Sequence, residues 1–186
     1  MEALFVTSNP NKAREAAEIL EMHLESVTLD LKEPQSLDVA EVATIKATTA
    51  REALHYPDHP VIVEDSGLVI EAWNGLPGAL TKWFLQSVGN QGLLRMLSAE
   101  VNRSARAVCA VAVAAVDSSV RVFVGEVEGS IAPNPRGSGG FGWDEIFIPK
   151  RSAKTYAELG ALKHKDSHRA RALRAARSEL EALLNR

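Results

Sequence analysis

Pro60-Val61-Ile62-Val63-Glu64-Asp65-Ser66-Gly67-Leu68-Val69-Ile70 is the stretch on which the fold turns. A run of β-branched residues reads as a buried strand, and two acids close it. Ser66-Gly67 reads as a turn, after which Leu68-Val69-Ile70 resumes extended chain. Two strand–helix units precede this strand. Residues 3–7 form a short apolar strand, and Ser8-Asn9-Pro10 supplies cap residues and a proline suited to a first helical turn. Ala13, Ala16, Ala17, Leu20 and Leu24 follow at helical spacing. Residues 26–31 alternate loosely as a second strand. A second helix is expected over about 38–54, with Asp38 as N-cap and an apolar stripe of Val39, Val42, Ala43, Ala47, Ala50 and Leu54. Downstream, Gly75-Leu76-Pro77-Gly78 is a tight turn, and helical patterns cover 79–88 and 92–97. Two long β-rich stretches, 104–116 and 119–131, are parted by Asp117-Ser118 as in a hairpin. Residues 133–142 are loop, and a last helix covers 167–184. The order β-α-β-α-β followed by a long hairpin predicts an α/β protein with a mixed sheet.

The 186 residues are 46% hydrophobic and 24% charged, a globular composition long enough to bury a core. No repeat or linker divides them, so one domain over 1–186 is expected. The single cysteine, Cys109, lies in an apolar strand and reads as a core residue, with no disulfide framework. The longest apolar run, 107–116, is too short to cross a bilayer. The start, Met1-Glu2-Ala3-Leu4-Phe5-Val6, lacks the basic region of a signal peptide, so a cytoplasmic location is expected, with no membrane partner. Net charge is −3, but residues 1–149 hold 11 basic and 20 acidic residues, whereas 150–186 hold 10 basic and 4 acidic. A basic terminal helix can bind phosphates or simply pair with the acidic remainder.

Four clusters place polar residues where strands end or glycine turns begin, the usual site of a ligand crevice in open α/β sheets. Thr7-Ser8-Asn9-Pro10-Asn11-Lys12 sits at a strand end and helix start, where free N–H groups and a lysine favour an anion; read alone, it is a helix cap. Glu64 and Asp65 are hard oxygen donors suited to Mg²⁺, provided the turn swings both toward the crevice. Ser138-Gly139-Gly140-Phe141-Gly142-Trp143-Asp144 sets aromatics among glycines, as stacking of a planar base requires, although Trp143 fits the core equally well. Lys163, His168 and Arg169 bring cations to a helix N-terminus, where the dipole disfavours them unless an oxygen-rich ligand is present.

Taken in order with Gly75-Leu76-Pro77-Gly78, Lys82-Trp83-Phe84 and Thr155-Tyr156-Ala157-Glu158-Leu159, these motifs resemble the inosine triphosphate pyrophosphatase family over nearly the whole chain. The resemblance implies an elongated mixed β-sheet with flanking helices, two lobes around a central substrate cleft, a homodimer and Mg²⁺. It implies cleavage of inosine, deoxyinosine and xanthosine triphosphates to the monophosphate and pyrophosphate. By that resemblance Thr7, Asn9, Lys12 and Lys46 hold phosphates, Ser8, Pro10 and Asn11 bind substrate beside them, and Asp65 is the catalytic acid. Glu33, Glu64 and Asp65 hold the metal, with Glu41 the alternative to Glu33. Ser66 touches substrate. Phe141, Gly142, Trp143, Asp144, Lys163, His168 and Arg169 form the nucleoside pocket, with Phe141 stacking on the purine and Lys163 and Arg169 donating to its 6-keto oxygen. Two departures stand out: Ser8 replaces a common glycine, and Glu145 replaces a common proline. The rivals are a house-cleaning pyrophosphatase for pyrimidine or modified nucleotides, as in the septum-inhibitor-like family, and a non-catalytic nucleic-acid-binding module. The Phe141–Asp144 and Ser167-His168-Arg169 motifs oppose the first, and the acidic 1–149 opposes the second.

Overall fold

The computed structural model describes residues 3–56 and 58–185, so the acidic start Met1-Glu2 lies outside the described residues. In chain order the elements are β1 (Ala3–Val6), α1 (Pro10–Leu20), β2 (Leu24–Val27), α2 (Val39–Ala53), β3 (Val61–Ile70), β4 (Pro77–Gly78), α3 (Thr81–Met96), β5 (Ser104–Ala114), β6 (Val120–Ile131), β7 (Phe147–Pro149), α4 (Tyr156–Leu159) and α5 (His168–Leu184). Six strands lie in the order β2-β1-β3-β5-β6-β7, and β4 pairs with β3 off that path. The β1–β2 and β1–β3 pairs are parallel; the rest are antiparallel. This is the expected mixed sheet.

Three apolar clusters hold it. On one face, α1 and α5 bury Ala16, Leu20, Leu173, Ala176 and Leu180 against Phe5, Ile62 and Val111. On the other, α2 buries Val39, Val42, Ala43, Ala47 and Ala50 against Val61, Val63 and Ala112. That is the stripe expected for α2, and Asp38 accepts from Ala40 N–H and Glu41 N–H as its N-cap. Farther along the long strands a third cluster gathers Leu68, Leu93, Leu97, Val127, Trp143, Phe147 and Tyr156. β3, β5 and β6 thus run through two packed bodies, and the cleft opens between them.

Three expectations are corrected. Helix α1 stops at Leu20, where Glu21 adopts a left-handed C-cap, so Leu24 belongs to β2 and that strand covers Leu24–Val27, not 26–31. Ser66-Gly67 is not a turn: β3 runs unbroken and pairs with β5 from Val61↔Ala114 to Ile70↔Ala105. Glycine stands at 67 because a Cβ there would strike the Gly78 carbonyl of the crossing β4. The helical stretches expected at 79–88 and 92–97 are halves of α3, broken at Gly89 (φ 64°, ψ −178°), a conformation that favours glycine.

Candidate active site

Strand β1 sets the site by ending early. Its last partner on β3 is Val63, so Glu64 and Asp65 flank open space beyond the carboxyl end of β1. Alternation sends Glu64 to the α1/α5 face with Ile62 and Asp65 to the α2 face with Val63. The gap, and not a turn, brings both acids to the crevice. A cavity of about 440 Å³ opens there, within the range of small-molecule sites. Its walls include Thr7, Ser8, Asn9, Pro10, Lys12, Glu33, Lys46, Glu64, Asp65, Ser66, Phe141, Gly142, Trp143, Asp144, His168 and Arg169. Two of the expected residues do not line it. Asn11 turns its backbone N–H to Asn9 Oδ1, and Lys163 stands behind Phe141. Glu33 lines the cavity, whereas Glu41 lies outside it and accepts from Ser36 Oγ.

The loop after β1 differs from the expected cradle of free N–H groups. Asn9 N–H donates to Thr7 Oγ1, and Lys12 N–H and Ala13 N–H both donate to Asn9 O. What the loop offers an anion is chiefly side chains: the Lys12 ammonium and the Asn9 amide. Lys12 lies 3.3 Å from Glu64 Oε1. Across the cleft, Lys46 Nζ donates to Glu33 Oε1 at 2.9 Å and to Asp65 Oδ1 at 3.4 Å. Burial would lower the Lys46 pKa, but Asp65 and Glu33 beside it raise it overall. Burial pushes up both carboxyls, and the lysine reverses this only at Glu33, whose pKa falls. At Asp65 burial prevails over Lys12 and Lys46, with Glu33 adding repulsion, so its pKa is raised.

Behind Phe141 lies a sealed ion network. Arg169 grips Glu64 in a two-pronged fork, Nε to Oε2 at 2.7 Å and Nη2 to Oε1 at 2.9 Å, and binds Glu15 through Nη1. Lys163 joins Glu15 at 2.8 Å to Asp144. Both cations also stand over the Phe141 ring, at 5.2 and 5.3 Å. Burial opposes charge at Glu64, but Arg169 and then Lys12 overcome it and hold the carboxyl well below its usual range. Asp144 goes the other way: burial outweighs Lys163 and raises it. His168 is packed against Trp143 and stacked on Tyr156; burial and the Arg169 charge keep it neutral. Both its ring nitrogens are buried without a hydrogen-bond partner among the described residues, although the ring lines the cavity. Trp143 belongs largely to the core, edge-on to Phe147.

Sequence reasoning missed Glu15, one charged residue among several on an amphipathic helix, which carried no signal of its burial. It quoted Lys82-Trp83-Phe84 without a role, yet Lys82 lines the cavity 3.8 Å from Glu33 Oε1. Asp65 Oδ2 is buried and unpartnered among the described residues, and Glu33 shares Lys46 with its other oxygen. That open Asp65 oxygen, with Glu33 joined to the same carboxylate through Lys46, fits a hard divalent cation. Glu64 does not, because Arg169 takes both its oxygens. No group of three His, Cys, Asp or Glu side chains that could hold a metal converges among the described residues.

Fold and site together define a mixed α/β protein whose cleft faces cations and carboxylates at one end and an aromatic shelf at the other. The sequence model of the Ham1 family matches residues 3–179, and the chain belongs to that family. It is 44% identical over 177 residues to a dITP/XTP pyrophosphatase of Methanopyrus kandleri, covering 93% of each chain. Against a dITP/XTP pyrophosphatase of Ignicoccus hospitalis it is 42% identical over 172 residues, 90% of each. The solved structure of a HAM1 protein from Coxiella burnetii superposes with a TM-score of 0.83 at 28% identity, covering 98% of this chain and 100% of that one.

Proposed function

We propose that this chain hydrolyses the non-standard purine nucleoside triphosphates ITP, dITP and XTP to the monophosphate and pyrophosphate, and that residues 1–186 work as one domain for that reaction. The observation that carries the reading is the cleft itself. Lys12, Lys46 and the raised carboxyl of Asp65 meet at one end, and Phe141 stands at the other. The names of the relatives support the substrate class.

Lys12, Lys46 and the side chains of Thr7 and Asn9 hold the phosphates. A triphosphate brings about four negative charges, which these cations offset only in part, since each lysine already faces a carboxylate. Glu33 and Asp65 would hold Mg²⁺, which offsets phosphate charge and favours ionisation of water when bound. Asp65 orients the attacking water and takes its proton. Water oxygen bonds to the α-phosphorus, the bond to the bridging oxygen breaks, and pyrophosphate leaves with the electron pair. Phe141 gives the base a face to stack on, worth roughly 1–3 kcal/mol. Arg169 and Lys163 are held by carboxylates and set that ring from behind; Lys163 lies outside the cavity, whereas an N–H left over on Arg169, which lines it, can donate to a 6-keto oxygen. Adenine offers a donor there and leaves such a group unpaired. Neutral His168, with two open nitrogens, can meet the polar edge of the nucleoside.

The basic terminal helix does not favour a nucleic-acid module: Arg171 binds Asp166, Arg174 caps the carbonyls of His164 and Lys165, and Arg177 pairs with Glu181. No helix among the described residues is long and apolar enough to cross a membrane. Family membership adds the expectation of a cytoplasmic homodimer, which light scattering on the purified protein checks. The test of substrate class is kcat/KM for ITP, dITP and XTP against ATP, GTP and the pyrimidine triphosphates with Mg²⁺. Clear preference for the first three supports the reading; preference for a pyrimidine triphosphate overturns it.

A further inference from the structure

The two walls of the cleft meet at one side chain that no role above uses. Asn90 follows Gly89, where α3 breaks. Its Nδ2 donates to Gly142 O at 2.8 Å and to Glu145 Oε1 at 2.8 Å. Both partners are acceptors, so the amide nitrogen, not its oxygen, must face them. One hydrogen of the amide goes to the residue next to Phe141, and the other goes to a carboxylate, the stronger kind of hydrogen bond. On the far side of the same loop, Phe141 N–H donates to Asp144 Oδ2 and Asp144 N–H to Phe141 O. Asp144 thus holds the Phe141 turn from the core side, and Asn90 holds it from α3.

The other half of α3 reaches the cavity. Ahead of the break it carries Lys82, Leu85 and Gln86 along the cavity wall. Asn90 therefore ties the wall that carries Lys82 to the wall that carries Phe141. Residue 145 strengthens the point. Here the restraint runs through the Glu145 side chain to Asn90, and through Arg136 N–H to Glu145 O at 2.9 Å.

We propose that Asn90 is a positioning residue: its amide, shared between Gly142 O and Glu145 Oε1, locks the Phe141 loop to the break in α3 and fixes where the base stacks relative to the phosphate wall. The proposal rests on the reading of Phe141 as the base platform. Its effect falls on recognition of the base, not on the phosphates and not on the chemical step, because both hydrogen-bond partners of its amide lie in the Phe141 loop and Asn90 itself does not line the cavity.

The experiment measures kcat and KM for ITP, and the inhibition constant of inorganic tripolyphosphate, which has phosphates but no base. It uses the full chain as wild type, Asn90→Ala, Asn90→Asp, Glu145→Ala, Glu145→Gln and Phe141→Ala. Asn90→Ala and Asn90→Asp are expected to raise KM for ITP about tenfold, the scale of a lost hydrogen bond to a charged group, with kcat and the tripolyphosphate constant little changed. Glu145→Ala raises KM by less, and Glu145→Gln, which keeps an acceptor oxygen, stays closer to wild type. An unchanged KM in Asn90→Ala and Asn90→Asp overturns the proposal. So does a parallel loss of kcat and tripolyphosphate affinity, which marks a general structural residue. Should Asn90→Ala fail to fold, Glu145→Ala decides by the same criteria. Phe141→Ala separates the two readings: if it leaves KM for ITP unchanged, the base platform itself is wrong, whereas a raised KM there with no effect at Asn90 removes only this inference.

Discussion

The two ends of the cleft are made of the same ingredients, lysine or arginine against carboxylate, yet they differ in how far water reaches them. At the phosphate end the side chains of Lys12, Lys46 and Lys82 are 16%, 14% and 51% exposed, and their ion pairs run from 2.9 to 3.8 Å. At the nucleoside end Lys163 and Arg169 are each 3% exposed and every carboxylate near them is gripped. A buried ion network is tolerable only when its charges balance and its hydrogen bonds are complete. Glu15, Glu64 and Asp144 outnumber Lys163 and Arg169 by one, and Lys12, reaching Glu64 from the phosphate end, supplies the third cation. One end is therefore a finished scaffold, and the other can exchange its internal partners for phosphate and metal.

If that division holds, the largest effect of all comes from Asp65, the group at the open end with a free buried oxygen. Asp65→Asn is expected to cut kcat by 10²–10⁴-fold, about 3–5 kcal/mol, with ITP still bound. Single-turnover kinetics beside equilibrium binding checks it, and near-normal turnover would remove Asp65 from its role.

At the finished end the matching effect is on stability. Glu64→Gln leaves Arg169 without its fork and is expected to cost about 3–5 kcal/mol near neutral pH. The sign follows from the lowered carboxyl: Glu64 stabilises the fold above the ordinary carboxylate pKa of 4.5, and loses that contribution as pH falls through its depressed value. Asp65 and Asp144, with raised values, act in the opposite sense: burying their charged forms costs stability at neutral pH, and protonation on acidification relieves that cost. Denaturant unfolding of wild type and Glu64→Gln from pH ~7 down to ~3 should show their difference shrinking toward the acid end. A pH-independent difference contradicts the assignment.

The contrast also explains what could be read in the sequence. Helix α2 was legible because its cap, Asp38, and its stripe are local signals. Three of the clusters were legible because they sit at element ends or in a glycine loop, and Glu64-Asp65 because two acids interrupt an apolar run; all four reach one cavity, with Asn11 and Lys163 the expected residues outside its walls. The unbroken β3 was not legible: Ser66-Gly67 looks like a turn, and only the crossing of β4 explains its glycine. The end of α1 was hidden because Glu21, not glycine, takes the left-handed cap. Glu15 was invisible because its burial depends on Lys163 and Arg169, some 150 residues away in the chain. Local chemistry revealed the open end of the site, whereas the sealed end is a product of tertiary packing.

Smaller effects sharpen the division. Lys12→Ala is expected to lower kcat/KM for every triphosphate by a similar factor, roughly ten- to a hundredfold, since it meets phosphate and not base. A changed base preference without a general loss would show a different role. Lys82→Ala, at the most exposed of these cations, is expected to raise KM only a few-fold, as exposed ion pairs are worth about 0.2–1 kcal/mol. That loss should fade with added salt, whereas the Lys12 effect persists.

All of this supposes that the open end carries the triphosphate so that water reaches the α-phosphorus and pyrophosphate leaves. Phosphorus NMR of ITP turnover by the wild-type chain with Mg²⁺ tests that claim most directly. The account predicts a pyrophosphate resonance growing in step with IMP and no IDP at any time; accumulation of IDP with inorganic phosphate, or an unchanged ITP spectrum, would contradict it.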